Sequence, residues 1–224
     1  MIIAIDGPSA SGKGTLSKRL AAYLGFAHLD TGKIYRAVGY QVVRQGGDPE
    51  DEATALAVAR ALDPATLSAP QLSSDEAALA ASKVARMNAV RDVLLQFQRD
   101  FAERPPGGAL GAVLDGRDIG TVVCPEAPVK LYVVASAEVR AERRHNELLE
   151  RGEASIYARV LQDMKDRDDR DSNRSVAPLK PADDAFILDT SELDADQAFN
   201  AALSEILIKR TLTDCGAIED DDDA

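Results

Sequence analysis

The start of the chain carries the pattern of a phosphate-binding loop. A short apolar run at residues 2–6 precedes the segment Gly-Pro-Ser-Ala-Ser-Gly-Lys-Gly-Thr, which fits the pattern G-x-x-x-x-G-K. In such a loop backbone N–H groups surround a phosphate, glycines allow close approach, and the following helix adds a favourable dipole. We expect its lysine to reach the β- and γ-phosphates of a nucleotide. The predicted phosphate-binding residues are Gly7, Pro8, Ser9, Ala10, Ser11, Gly12, Lys13, Gly14 and Thr15.

One position of this loop bears on metal binding. Gly14 stands where a serine or threonine usually offers its hydroxyl to Mg²⁺, and Thr15 comes one residue later. Mg²⁺ readily keeps several water ligands. We therefore expect no direct protein ligand, with the ion held mainly by nucleotide phosphates and water, near Thr15 and Asp115. Two roles stay open for Asp115: positioning a Mg²⁺-bound water, or capping the turn at Gly116.

Arginines are concentrated in a second segment, residues 167–174, which reads Arg-Asp-Asp-Arg-Asp-Ser-Asn-Arg. On a continuous helix Arg167, Asp171 and Arg174 would share one face. A solvated face laced with ion pairs is the ordinary explanation, whereas the phosphate loop favours a site where several arginines grip a polyanion. A phosphate loop with many arginines and no dedicated nucleophile is typical of phosphoryl transfer. The arginines that could converge are Arg36, Arg117, Arg167, Arg170 and Arg174.

Strand and helix signals alternate along the chain. Apolar runs predict strands at 2–6, 26–29, 110–114, 129–134 and 185–189. Periodic patterns predict helices at 13–24, 34–44, 50–62, 75–103 with a break near 87–88, 138–151, 156–170 and 197–210. This alternation predicts an α/β fold of the three-layer P-loop NTPase type, in which helices flank a parallel sheet of about five strands. Ligands of such sheets bind beyond the carboxyl ends of the strands.

Composition narrows the possible partners and location. The net charge of the 224 residues is −12, and the acidic run at 219–223 supplies five of those charges. An acidic protein gains no general attraction to nucleic acid or anionic membranes, and no apolar run reaches transmembrane length. The loop also begins close to the first Met, from which we expect no cleaved presequence. We expect a cytoplasmic monomer with no nucleic-acid or membrane partner.

Four segments together resemble the bacterial cytidylate kinases. They are residues 7–15, 30–36 (Asp-Thr-Gly-Lys-Ile-Tyr-Arg), 115–123 (Asp-Gly-Arg-Asp-Ile-Gly-Thr-Val-Val) and 167–174, in the order and spacing of that family. The resemblance implies a P-loop nucleoside monophosphate kinase domain over 1–210, with an acceptor-side helical insert at about 50–104 and a lid at about 150–156. Many relatives carry a larger insert, whereas residues 63–76 here have no strand signal. The acidic tail, 211–224, has no periodic pattern and is predicted to be disordered.

The resemblance also implies an activity and its site residues. The activity is ATP-dependent phosphorylation of CMP and dCMP to CDP and dCDP by direct in-line γ-phosphoryl transfer, with Mg²⁺ as cofactor. The phosphate loop would bind the ATP. The implied catalytic residues are Lys13, Arg117, Arg170 and Arg174. The implied CMP-binding residues are Thr31, Arg36, Ser82, Arg91, Arg117, Asp118, Arg167, Asp171 and Arg174.

The positions that match the family's base-reading set have a chemical rationale. Cytosine offers an amino donor beside acceptors at N3 and O2, which a carboxylate such as Asp118 and a guanidinium such as Arg91 complement. Uracil would leave these groups mispaired. A kinase for UMP or another monophosphate, differing mainly at these two positions and Ser82, is the nearest alternative. A nucleotide-dependent switch or nucleic-acid-binding ATPase is the alternative of another class, although the N-K-x-D segment of GTPases is missing.

Overall fold

The computed structural model describes residues 1–174 and 176–216, with side chains as far as residue 211. Its chain divides into two compact units. We call Met1–His28 with Pro105–Ala224 the sheet unit and Leu29–Arg104 the helical unit. The acceptor-side insert expected at 50–104 falls within the helical unit, which begins earlier because it includes the helix after the second strand.

The predicted alternation of strands and helices is confirmed. The strands are β1 (Ile2–Asp6), β2 (Ala27–Asp30), β3 (Ala112–Gly116), β4 (Val129–Val134) and β5 (Phe186–Asp189). The helices are α1 (Lys13–Leu24), α2 (Thr31–Arg44), α3 (Glu52–Arg60), α4 (Asp75–Val84), α5 (Asn88–Glu103), α6 (Ala137–Glu150), α7 (Tyr157–Ser172) and α8 (Ala195–Gly216). A π-helical turn at Ile119–Val123, which we call the π-turn, was not predicted.

The strands form one sheet in the order β2-β3-β1-β4-β5. β1 pairs in parallel with β3 and β4, and β4 pairs in parallel with β5. In this register Asp6 lies opposite Gly116 on one side and Tyr132 on the other. Because parallel strands end at the same edge, the segments after β1, β3 and β4 all begin there. The expected α/β fold with a five-stranded sheet is confirmed.

The main core of the sheet unit joins the central strands to α1 and α8. Ile3 and Ile5 of β1 are fully buried, as expected for a parallel strand covered on both faces. Helix α1 contributes Leu20, and α8 contributes Phe199 and Ile206, to the same cluster. A second, smaller cluster joins α6 to α7 through apolar residues spaced along one face of each helix: Ala141, Leu148, Val160 and Met164.

The helical unit is built from α2 to α5, and side-chain caps define where three of these helices begin. The carboxylate of Asp30 accepts from the Lys33 N–H at α2, and the Asp51 carboxylate does the same at the start of α3. The Ser74 hydroxyl accepts from the Ala77 N–H at α4. The predicted loop between α3 and α4 contains two 3₁₀ turns, Pro64–Ser68 and Pro70–Ser73, each with proline in its first turn.

Two helices extend beyond their predicted ends at 170 and 210. Helix α7 ends at Ser172, so it does not continue to Arg174, as a shared helical face of Arg167, Asp171 and Arg174 would require. Helix α8 continues to Gly216 and includes residues 211–216 of the predicted disordered tail. No proline or glycine interrupts the sequence before Gly216, and the Thr211 hydroxyl donates to the Leu207 carbonyl at 3.0 Å, one turn earlier. The rest of that tail, 217–224, lies outside the described residues.

A search of the described helices finds none with the length and apolar character needed to cross a membrane.

We predict that Gly39→Ala destabilises the protein. Gly39 of α2 is buried, and a Cβ there would lie 2.7 Å from the carbonyl carbon and 2.8 Å from the Cβ of Ala80 in α4. Overpacking of this kind costs about 1–3 kcal/mol of unfolding free energy, measurable by urea denaturation. Gly14→Ala in α1 is the control, since its Cβ would meet no described atom within 4 Å; its stability should be unchanged or higher. Equal stability of both variants would contradict the close α2–α4 packing.

Candidate functional site

The loop between β1 and α1 requires glycine where the backbone is most crowded. Gly7 has φ 147°, and a Cβ there would lie 2.1 Å from the Val133 carbonyl oxygen of β4, so no side chain fits. Gly12 has φ 88° and caps α1. Ala10 adopts φ 58°, a left-handed conformation that non-glycine residues rarely take. The predicted loop therefore has the tight, N–H-rich geometry that suits a phosphate.

Two polar side chains of this loop suit an anion. The Lys13 side chain is 8% exposed, and its ammonium donates to the Pro8 carbonyl at 2.9 Å, so the cation is folded onto the loop. The Ser11 hydroxyl is fully buried and has no hydrogen-bond partner among the described residues. A buried hydroxyl without a partner is costly, and a phosphate oxygen would satisfy it.

A cavity of about 320 Å³ adjoins the loop, lined in part by Gly12, Thr15, Leu16, Arg143, Thr190 and Leu193. Arg143 of α6 donates to the hydroxyl of Thr190 at 3.0 Å and to its carbonyl at 2.6 Å. Thr190 in turn donates to the Ser11 carbonyl at 2.9 Å. Sequence reasoning missed this wall of the cavity. The available signal was position alone, since Thr190 directly follows the carboxyl end of β5.

Asp171 gathers three arginines in the sheet unit. The Arg117 Nε donates to one carboxylate oxygen at 3.0 Å, the Arg167 Nε lies 3.9 Å from the same oxygen, and Arg174 donates to the other. Asp171 is only 1% exposed. Burial by itself would raise the pKa of Asp171, but the charges of Arg117, Arg174 and Arg167 outweigh it, so the pKa is lowered. The three cations therefore favour the ionised carboxylate of Asp171.

The structure reproduces the predicted convergence only in part. Arg117, Arg167, Asp171 and Arg174 come together, whereas Arg170 is exposed and makes no ion pair with any residue that the structure describes. The reason is the helical geometry. Arg170 lies one residue before Asp171, on a different side of α7.

Asp115 pairs with His28, a contact that neither of the two roles suggested for Asp115 predicts. The Nε2 of His28 lies 2.8 Å from a carboxylate oxygen of Asp115, which is 4% exposed. This pair joins β2 to β3 next to the phosphate loop's edge of the sheet. Within 1–174 and 176–216, no group of three or more His, Cys, Asp and Glu side chains is arranged to hold a metal ion.

Arg140 of α6 ties the phosphate loop to α7, and the sequence pattern does not distinguish it from its neighbours. Its side chain is buried and donates to the Ser9 carbonyl at 3.3 Å and to the Asp168 carboxylate at 2.6 Å. A third bond reaches the Ala135 carbonyl at 3.0 Å. The other oxygen of Asp168 has no partner among the described residues. One guanidinium therefore fixes both the loop backbone and the helix that carries the arginine cluster.

The remaining predicted acceptor residues belong to the helical unit. Thr31 is buried at the start of α2, and Arg36 of the same helix donates to the Leu72 carbonyl at 2.8 Å. Arg91 of α5 is 8% exposed, and its guanidinium lies 5.7 Å from the ring centre of Tyr35. The Ser82 hydroxyl donates to the Leu79 carbonyl of its own helix at 2.8 Å.

The predicted lid coincides with the break between α6 and α7. Helix α6 ends at Glu150 with Arg151 as its C-cap, Gly152 follows with φ 74°, and α7 begins at Tyr157. Its exposed residues include Ile156, which is 62% exposed. Movement of this segment stays a prediction.

Comparison with known proteins gives a consistent family assignment. The family model described as cytidylate kinase matches residues 3–207. A cytidylate kinase of Paramagnetospirillum magneticum is 66% identical over 209 residues, covering 93% of this chain and 99% of that protein. A cytidylate kinase of Rhodospirillum rubrum is 60% identical over 213 residues, covering 95% and 100%.

Among solved structures, an uncharacterized protein from Eubacterium ventriosum has a similar fold. The TM-score is 0.54 at 14% sequence identity, and the alignment covers 92% of this chain and 98% of that chain. At this identity the likeness concerns the fold alone.

We predict that Arg140→Met weakens both stability and nucleotide binding. Loss of the guanidinium leaves the Asp168 carboxylate without its ion-pair partner. We expect the free energy of unfolding to fall by about 2–3 kcal/mol. This is less than for a fully buried pair, because the Asp168 side chain is 23% exposed. Release of the Ser9 carbonyl should weaken ATP binding about tenfold by calorimetry. Arg104→Met, which breaks an exposed pair with Asp100, should change stability by less than about 1 kcal/mol and leave ATP binding intact. Equal effects of the two variants would refute the role of Arg140.

Proposed function

Because the chain belongs to the cytidylate kinase family, we propose that it transfers the γ-phosphoryl group of ATP to CMP and dCMP, giving ADP with CDP or dCDP. The observation that carries this proposal is the arginine cluster around Asp171, in the same compact unit as the phosphate loop. Phosphoryl transfer requires aligned reactants and neutralised charge rather than a protein nucleophile. The loop supplies N–H groups and Lys13 for the donor, and the cluster supplies fixed cations for the acceptor.

The donor side has places for both parts of ATP. The triphosphate would lie in the loop from Gly7 to Thr15, where the unpartnered Ser11 hydroxyl and the Lys13 ammonium can bind its oxygens. The adjoining cavity beside Gly12 and Thr190 would take the nucleoside, since its volume of about 320 Å³ lies within the range of small-ligand pockets.

The oxygen donors near the loop fit Mg²⁺ that is bound to ATP. Thr15 offers an exposed hydroxyl, and the carboxylate of Asp115 is oriented by His28. Mg²⁺ prefers such oxygen ligands and keeps several waters. When bound, the ion would neutralise charge on the β- and γ-phosphates. Thr15 and Asp115 would hold its water shell, and the nucleotide would supply the direct contacts.

The arginines of the sheet unit have distinct proposed roles. Arg117 and Arg174 grip the phosphate of CMP, because both guanidinium groups are held by Asp171 and can present their remaining N–H donors in a fixed geometry. Arg167 and Asp171 itself reach the sugar. Arg170, exposed on α7, is free of ion pairs among the described residues and would neutralise charge on the phosphoryl group in transfer.

Specificity for cytosine is assigned to hydrogen-bonding groups that uracil would mispair. Asp118, 6% exposed, would accept from the amino group of cytosine. Arg91, held in place against Tyr35, would donate to N3 and O2, with Ser82 as a further polar contact. Thr31 and Arg36 complete the acceptor set on α2. A mispaired buried group costs about 1–3 kcal/mol, which favours CMP over UMP by roughly 5- to 150-fold.

Closure of the segment between α6 and α7 is the proposed way to exclude water. Gly152, with φ 74°, supplies a backbone conformation that suits a hinge. Exclusion of water would limit transfer of the phosphoryl group to water in place of CMP. We propose further that the protein acts as a cytoplasmic monomer without nucleic-acid or membrane partners.

The proposed function predicts strong ADP release with MgATP only when CMP or dCMP is present. A coupled assay with CMP, dCMP, UMP, AMP and GMP measures this, and mass spectrometry identifies the product. Lys13→Ala should lose nearly all turnover while keeping its circular dichroism spectrum, which excludes a contaminating kinase. Preference for another monophosphate would overturn the assignment of Ser82, Arg91 and Asp118. No turnover with any acceptor would favour a nucleotide-dependent switch or nucleic-acid-binding ATPase.

Arg174→Ala should harm acceptor binding far more than donor binding. Loss of one charge-assisted contact to phosphate, worth about 2–3 kcal/mol, should raise KM for CMP roughly 30- to 100-fold and leave KM for ATP within about twofold. The lowered pKa of Asp171 keeps its carboxylate ionised at all pH values above the ordinary aspartate range, so the defect should not vary between about pH 7 and 8, where the CMP phosphate is also mostly dianionic. Arg104→Ala, which breaks an exposed pair with Asp100, is the control. A larger change in KM for ATP than in KM for CMP would show that Arg174 contacts ATP rather than CMP.

A further inference from the structure

Asp6, the last residue of β1, makes two hydrogen bonds that the mechanism above does not use. One carboxylate oxygen accepts from the Ile119 N–H at 2.8 Å and the other from the Gly120 N–H at 2.8 Å. Asp6 is only 4% exposed. A bidentate contact of this kind fixes the backbone at Ile119 and Gly120 in both distance and direction.

These two hydrogen bonds connect the segment that leads into the phosphate loop with the segment that follows Arg117 and Asp118. Asp6 is followed directly by Gly7, the first residue of the phosphate loop, and Ile119 is preceded directly by Arg117 and Asp118. The first N–H groups of a helical turn lack partners within the turn. Asp118 occupies the capping position of the π-turn but makes no side-chain cap, and Asp6 supplies that cap from β1.

The π-turn packs against both β1 and β4. A Cβ added to Gly120 would make an ordinary contact with the Asp6 carboxylate at 3.5 Å and a tighter one with the Cδ of Lys130 at 3.2 Å. Gly120 therefore lies directly beside the carboxylate that accepts from its N–H.

Charged and titratable groups face Asp6 from both neighbouring strands. Beyond β3, Asp118 repels its charge and Arg117 attracts it. On β4, Tyr132 lies opposite it in register, and Lys130, whose ammonium pairs with Asp184 at 2.8 Å, passes beside Gly120. Burial raises the pKa of Asp6 to about 7, against the lowering effect of the two backbone N–H groups.

We propose that Asp6 is a positioning residue for the acceptor: by holding the amides of Ile119 and Gly120, it fixes the adjoining pair Arg117–Asp118 relative to the phosphate loop. The proposal rests on the proposed function, in which Arg117 grips the CMP phosphate and Asp118 reads the base. Both residues directly precede the carboxylate's two anchor points in the chain. The same carboxylate is one residue away from the donor loop, so it fixes the two substrate sites against each other.

Ionisation of Asp6 has opposite effects on stability and on this positioning. Its pKa is raised in the folded protein, so the folded state binds more protons than the unfolded state between the ordinary aspartate value and about 7. Stability from this group therefore falls as the pH rises through that window. The ionised carboxylate, however, accepts both N–H groups, whereas a protonated one turns an O–H donor towards an N–H. Acceptor affinity should therefore rise while stability falls, a pairing that a merely structural role does not produce.

The first test compares wild type, Asp6→Asn and the control Asp184→Asn. The amide of asparagine has one acceptor oxygen, so one of the two N–H groups loses its partner. At pH 8 we expect KM for CMP to rise about tenfold in Asp6→Asn, with KM for ATP changed less than about twofold. Asp184→Asn removes an exposed carboxylate that pairs with Lys130 and should behave as wild type.

The second test uses pH. The ratio of KM for CMP between Asp6→Asn and wild type should fall towards one as the pH is lowered from 8 to 6, because the wild type then loses the ionised carboxylate as well. The phosphate of CMP titrates in the same range, and taking the ratio removes that contribution. A constant ratio, or equal losses for CMP and ATP, would overturn the proposal.

The two proposals can fail separately. Wild-type turnover with CMP is measured first, and its absence contradicts the proposed function rather than the role of Asp6. If another monophosphate is the acceptor, the same KM comparison is made with that acceptor. If Asp6→Asn does not fold, Asp6→Glu keeps a carboxylate but displaces it by one methylene, and it should raise KM for CMP with little change for ATP. Wild-type kinetics in Asp6→Glu would then refute the positioning role.

Discussion

Parallel pairing of β1 with both β3 and β4 is the constraint on which the candidate site depends. It brings the ends of three strands to one edge, where Asp6 lies between Gly116 and Tyr132. The crowding at this edge is severe enough that Gly7 must lack a side chain beside the Val133 carbonyl. The phosphate loop, Arg117 and the π-turn all follow from this arrangement, because each begins where one of the paired strands ends.

Helix α7 is fixed by two carboxylates that face arginines from elsewhere in the sheet unit. Asp168 receives Arg140 from α6, and Asp171 receives Arg117 from the segment after β3. Arg140 also holds the loop at Ser9, so the helix with the arginine cluster is tied to the donor loop by one side chain. Without Asp171, three neighbouring guanidinium groups would repel one another in a poorly solvated place, where such repulsion is strongest.

The sequence predicted features that depend on neighbouring residues, such as the phosphate loop. It did not predict contacts between residues that are far apart in the chain. The phosphate loop was recognisable because its unusual backbone angles require glycine at Gly7 and Gly12. The roles of Asp6 and Arg140 depend on partners that are 113 and 28 residues away, and no local pattern marks such bonds. The shared face of Arg167, Asp171 and Arg174 was expected only if the helix continued through residue 174, whereas α7 ends at Ser172 and Arg174 reaches Asp171 from outside the helix.

Buried charged side chains lie at the edge of the sheet where we propose that the substrates bind. Lys13, Asp171 and Arg140 are each at most 8% exposed, and removing such groups from water costs several kcal/mol per charge. A fold selected only for stability would replace them with apolar residues of similar volume, as the core around Ile3 and Leu131 already does. Their concentration beyond the strand ends, rather than throughout the core, is what a site that must bind a charged ligand requires. The cost in stability at this edge is therefore in keeping with the phosphate binding that we propose there.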